Sequence, residues 1–139
     1  MKTVVQPKQS QPPRLSVIVM FRNEETTLPV YLDSLLRQDT GFPFEVLFID
    51  GCSTDRSVEI VTQHPLASAR PVTVIVQDEG NNGMTVAQNL GARLAAAPIL
   101  LFTQADIEVR DPKALEKIEA AFSSPEVVGT YFIGRGAGD

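Results

Sequence analysis

Residues 15–24 read LSVIVMFRNE. From Leu15 to Phe21 the run is apolar but for Ser16, which suits a strand buried on both faces. It breaks at Arg22, Asn23 and Glu24, and Leu28, Leu32, Leu35 and Leu36 then repeat at helical spacing. Pro29 fits that helix if it begins near Thr26, because a first-turn proline sacrifices no hydrogen bond. The same strand-then-helix unit recurs outward along the chain. FEVLFID (44–50) is a second buried strand, and GCSTDRSVEIV (51–61) turns into a helix with Ser53 or Thr54 as its N-cap. PVTVIV (71–76) is a third strand, followed by the polar loop QDEGNNG (77–83) and a helix over 84–97 that Pro98 ends. ILLFT (99–103) is a fourth buried strand. Asp111 and Pro112 open a further helix, with Leu115, Ile118 and Phe122 as its inner stripe. EVVGTYFIG (126–134) is expected to be a fifth strand. This alternation predicts an α/β domain, a Rossmann-like sandwich with a mostly parallel sheet and helices on both faces. The domain is expected over 15–139, and MKTVVQPKQSQPPR (1–14) as a disordered lead-in.

The 139 residues are enough for one domain with a sizeable core, and 43% hydrophobic with 21% charged is an ordinary globular composition. A net charge of −5 argues against a nucleic-acid partner, which needs a basic face. The lone Cys52 excludes an internal disulfide and a cysteine-built zinc site, and it suits a reducing, cytoplasmic compartment. The single His64 excludes a histidine-rich metal site. No apolar run reaches transmembrane length, and no signal-peptide core opens the chain.

In a parallel sheet of this kind, ligands sit beyond the carboxyl ends of the strands. Those ends carry Arg22, Asn23 and Glu24; Asp50, Gly51, Cys52 and Ser53; Gln77, Asp78, Glu79 and Gly80; and Gln104 and Asp106. Four consecutive strand ends furnished with acids and amides point to a functional edge. Asp50 reads equally well as a turn carboxylate capping nearby amides or as an acceptor for a base or sugar. Asp106, delivered by an apolar strand, suits a hard divalent cation that takes its other ligands from phosphates and water; the competing reading is a turn aspartate. Gly91 inside a helix costs about 1 kcal/mol against alanine, so close approach to the sheet or to a ligand is the expected reason. Cys52 reads as a small turn residue, and His64 as a residue at the end of a helix.

In this order the motifs resemble the N-terminal, nucleotide-binding half of inverting family 2 glycosyltransferases of the GT-A fold. LSVIVMFRNEETTLPVYLDSLLRQ is similar to that family's opening strand, Asn-Glu turn and first helix. FEVLFIDGCSTDRSVEIV is similar to its second strand and Asp-x-Gly-Ser-Thr-Asp turn, and NNGMTVAQNLGARLA to its third helix. ILLFTQADIEVRDPKALEKI stands where its Asp-x-Asp motif belongs.

The resemblance implies binding of a nucleotide diphosphate sugar, UDP- or GDP-linked, through Mg2+ or Mn2+, for an inverting transfer. It places Asp106 on the metal and Phe21, Asn23, Glu24, Asp50, Asn82, Gly83 and Gln104 around the nucleotide, with Asn82 and Gly83 near the diphosphate. Gln104 stands at the first, more variable acid of the Asp-x-Asp motif and removes one charge there. Gly51 replaces an acid often found after Asp50, Arg22 a position commonly aromatic, and Met20 one commonly proline. The family's acceptor half, with its catalytic base, follows the matched region, so no residue of this chain is assigned as that base. The expectation is a half-enzyme truncated after about five strands, completed by further chain or by another chain, and one that forms a homo-oligomer through its exposed edge strand. The alternative is a catalytically inactive nucleotide-binding or assembly module.

Overall fold

The computed structural model describes residues 1–5 and 11–130. The elements run β1 (Lys2–Val5), β2 (Leu15–Phe21), α1 (Leu28–Leu36), β3 (Phe44–Asp50), α2 (Ser57–Gln63), β4 (Val72–Val76), α3 (Met84–Leu94), β5 (Ile99–Gln104) and α4 (Ala114–Ala121). They build one sheet in the order β1-β4-β3-β2-β5. β2 to β5 are parallel, and β1 adds antiparallel to the outer edge of β4. The expected α/β sandwich is therefore what the chain forms.

Alternate residues of the strands feed two cores. Leu15, Val17, Val19, Val46, Phe48 and Val74 pack with Leu28, Tyr31, Leu32 and Leu35 of α1, Val61 of α2, and Leu115 and Ile118 of α4. On the opposite face Ile18, Met20, Leu47 and Ile49 pack with Ala87 and Leu90 of α3. A Cβ on Gly91 would lie 2.4 Å from Ile18 Cγ2, so the glycine is there to let α3 approach the sheet. From β2 the chain steps one way through β3 and β4, and α3 then carries it back to the other side of β2. The direction thus reverses between β2 and β5, and that switch point is where such sheets open a crevice.

Three expectations are corrected. The segment 1–14 is not wholly without structure, since Lys2–Val5 pairs with β4 from Lys2↔Val76 to Val5↔Val74. β5 is not buried on both faces: α3 covers β2 and β3 but leaves Leu100 and Phe102 37% and 44% exposed. Residues 126–130 form no strand, and the rest of the expected fifth strand, 131–134, lies outside the described residues. Two helix starts also move. α2 begins at Ser57, where Asp55 Oδ1 accepts the Ser57 amide at 2.9 Å, and not at a Ser53 or Thr54 cap. α4 begins at Ala114, after a turn in which Asp111 Oδ1 accepts the Lys113 amide at 2.9 Å.

Candidate functional site

The parallel register sets the strand ends level. Phe21 lies opposite Asp50, Asp50 opposite Val76, and Met20 opposite Gln104. The carboxyl edge therefore presents Asp50 and Gly51 beside Arg22 and Asn23, and Gln104 and Asp106 across the switch point. The ladder continues one step past the strands, because Gly51 donates its amide to the Phe21 carbonyl and Gln77 to the Asp50 carbonyl, both at 2.9 Å. Asn82 Nδ2 donates to the Gly51 carbonyl at 3.3 Å, which draws the loop before α3 onto the same edge. Gly83 is the N-cap of α3, and no side chain caps that helix.

The residues singled out in the sequence divide by what their side chains do. Phe21 is 6% exposed and turns its ring inward against Phe48, edge to face with centroids 6.3 Å apart, so it offers the edge its backbone. Asp50 is 1% exposed, and both its oxygens accept the Ser53 amide at 3.1 Å. It holds the turn that follows β3, which is the first of its two sequence readings. Glu24 Oε2 accepts the Thr27 hydroxyl at 2.9 Å at the start of α1. Cys52 takes a positive φ of 63° and donates Sγ–H to the Gln77 carbonyl, a turn role. Gln104 and Asp106 are exposed around a buried Ala105. They also line a cleft of about 270 Å3 along the outer edge of β5, walled by Leu35, Leu101, Val109 and Leu115.

Hydrogen bonds between side chains and backbone join the loop after β2 to the turn after β3. Asn23, with φ 53°, donates its amide to Ser53 Oγ at 2.8 Å, and its Oδ1 accepts the amides of Thr54 at 2.8 Å and Asp55 at 3.3 Å. Glu24 donates its amide to Ser57 Oγ at 2.8 Å, and Glu25 to Asp55 Oδ2 at 3.2 Å. Glu25 Oε2 in return accepts the Arg56 amide at 3.1 Å. Desolvation pushes the Asp55 carboxyl upward, but the Ser57 hydroxyl and amide and the Glu25 amide outweigh it and hold Asp55 below its ordinary value. Sequence reading found the edge residues but missed this clasp, because its partners lie about thirty positions apart.

Among the described residues no three His, Cys, Asp or Glu side chains converge as a ready-made metal cage. An exposed carboxylate with a neighbouring amide oxygen suits a hard ion whose remaining ligands come from phosphates and water.

The chain belongs to the glycosyl transferase family 2, whose model it matches over residues 16–138. It is 34% identical over 121 residues to the 4,4'-diaponeurosporenoate glycosyltransferase of Staphylococcus haemolyticus, across 86% of this chain and 31% of that protein. It is 38% identical over 104 residues to an uncharacterized glycosyltransferase of Haemophilus influenzae, across 75% and 33%. Its fold is that of GT-A glycosyltransferases. One similar structure is the mannosyltransferase PcManGT of Pyrobaculum calidifontis in complex with GDP-Man and Mn2+, with TM-score 0.72 and 28% identity over 91% of this chain and 37% of that one. Another is S. aureus TarS 1–349 in complex with UDP-GlcNAc, with TM-score 0.66 and 29% identity over 77% and 30%. The chain thus spans about a third of the length of each of these proteins. Among the described residues no helix is long and apolar enough to cross a membrane.

Proposed function

We propose that the chain binds the nucleotide diphosphate of a sugar donor through a divalent cation, in the cytoplasm, as the donor-binding part of an inverting sugar transfer. The observation that carries this reading is the switch-point edge itself. It sets Asp106 and Gln104 on one side, the turn held by Asp50 on the other, and the uncapped start of α3 beside them. The two similar structures named above are complexes with UDP-GlcNAc and with GDP-Man and Mn2+, which supports the same ligand class here. Asp106 would hold the ion, which would offset charge building on the departing diphosphate. The amides at the start of α3, at Gly83 and just beyond it, suit the diphosphate oxygens, since a helix N-terminus presents unpaired donors and a positive dipole end. The backbone at Phe21 and Gly51 and the turn fixed by Asp50 border the nucleoside. The base that activates the acceptor is not assigned to any residue of this chain.

Calorimetry of the chain with UDP and with GDP, each with and without Mn2+, tests the proposal. One of the two is expected to bind, more tightly with Mn2+, and Asp106→Ala is expected to erase the metal dependence. Binding that ignores Mn2+ refutes the role of Asp106. Failure of both nucleotides refutes the proposal.

A further inference from the structure

We infer that Asn23 is a positioning residue, which shapes the nucleotide edge through the turn after β3 without touching the ligand. The inference rests on the nucleotide-binding reading above. Its basis is what the asparagine side chain already does. Oδ1 accepts the amides of Thr54 and Asp55, and the Thr54 hydroxyl at 3.4 Å, while the Asn23 backbone amide is taken by Ser53 Oγ. The position has two requirements. A φ of 53° lies in the left-handed region, which asparagine, aspartate and glycine tolerate and branched residues do not. The turn in addition needs a short side chain with an oxygen acceptor, which glycine lacks.

The consequence runs inward from the turn. Ser53, whose hydroxyl takes the Asn23 amide, donates its own amide to both oxygens of the buried Asp50. Asp50 ends β3 level with Phe21, and the adjoining Gly51 carbonyl holds Asn82 of the loop before α3. Asn23 therefore sits at the outer end of a hydrogen-bonded series that leads through Ser53 and Asp50 to the groups flanking the switch point. Loss of two amide bonds to Oδ1 corresponds to roughly tenfold or more in the population of the ordered turn.

Three substitutions separate positioning from contact. Asn23→Asp keeps the oxygen acceptor and tolerates the backbone but lacks the Nδ2 donor. Asn23→Gly keeps the backbone conformation and lacks the acceptor. Asn23→Ala lacks the acceptor and strains the backbone. Amide hydrogen exchange by NMR on the free chain and calorimetry with UDP and GDP are run on all three. Thr54 and Asp55 are expected to lose protection in Asn23→Gly and Asn23→Ala, with the β2 and β3 amides unchanged. Nucleotide affinity is expected to fall roughly tenfold or more with them, and Asn23→Asp to recover most of both. If Asn23→Asp binds as poorly as Asn23→Ala while its turn stays protected, the ligand is touched through Nδ2 and the inference is overturned. Unchanged exchange at Thr54 and Asp55 in Asn23→Gly overturns it whatever the calorimetry shows. Absence of nucleotide binding by the wild-type chain overturns the function proposed above, while loss of protection still supports the clasp.

Discussion

Replacing Gly91 by alanine sets two effects of known sign against each other. In an exposed helix interior the change gains about 1 kcal/mol, because glycine carries the larger backbone entropy cost. Here the new Cβ would meet Ile18 Cγ2 at 2.4 Å, Ile49 Cδ1 at 3.1 Å and Ile18 Cγ1 at 3.3 Å. Ordinary carbon contacts begin near ~3.5 Å, so α3 must retreat by about 1 Å or Ile18 must leave its rotamer. Ile18 is fully buried in a strand flanked on both sides, which leaves it nowhere to turn. Overpacking of this kind costs about 1–3 kcal/mol, so the net expectation is about 0–2 kcal/mol of destabilisation in place of a gain. Urea unfolding of Gly91→Ala, Ile18→Ala and the double mutant measures it. Ile18→Ala alone should cost about 2–5 kcal/mol for its cavity. In the double mutant the methyl group introduced by Gly91→Ala occupies part of that cavity, so the pair should be more stable than the sum of the singles by about 1 kcal/mol or more. A Gly91→Ala chain stabilised by the full helix-propensity gain, with additive energies, would refute the close approach of α3.

Gln104→Asp is expected to tighten Mn2+ binding in the presence of the bound nucleotide diphosphate, because a carboxylate is a better ligand than an amide for a hard ion; calorimetry that shows no change would mean that Gln104 faces away from the ion. Asp55 ionises below its ordinary value in the fold, so its contribution to stability is fully present above the unfolded value near ~3.9 and is lost as pH falls through the lower folded value. The Asp55 carboxyl carbon and the Glu25 and Ser57 amide shifts should therefore titrate together below about pH 3.9, and a midpoint above that would contradict the clasp. Among the described residues β5 is an edge strand, with Leu100 and Phe102 exposed on one face, so light scattering should show mass rising with concentration, and Phe102→Lys should reduce it; a strict monomer at high concentration would count against that edge as a pairing template.

The parallel sheet was legible because strands covered on both sides must be apolar almost throughout, and LSVIVMF and FEVLFID are fully buried over all seven residues each. The same rule misled at ILLFT, which is no less apolar but lies at the edge; composition does not report which strand a helix covers. β1 was missed because its four residues adjoin a stretch rich in proline and glutamine, and only the Thr3-Val4-Val5 run hinted at a strand. At the site, the edge positions followed from the strand ends alone. The directions of the side chains did not, since whether Asp50 faces a ligand or the Ser53 amide depends on the turn's path, and the grip of Asn23 on Thr54 and Asp55 depends on two loops meeting in space.

The reversal of strand order between β2 and β5 also dictates when the site can come into being. β2 pairs with β3 across a short helical crossover, but its other neighbour must be brought back from Ile99, which pairs with Leu15 across more than half the length of the chain. Contacts so distant in sequence repay their loop-closure entropy late. During synthesis, β2, β3 and β4 can associate while one side of β2 still lacks its partner. Only when β5 docks does Asp106 come alongside the end of β2, so among the described parallel strands the switch-point edge on which the proposed ligand site rests is the last to be assembled.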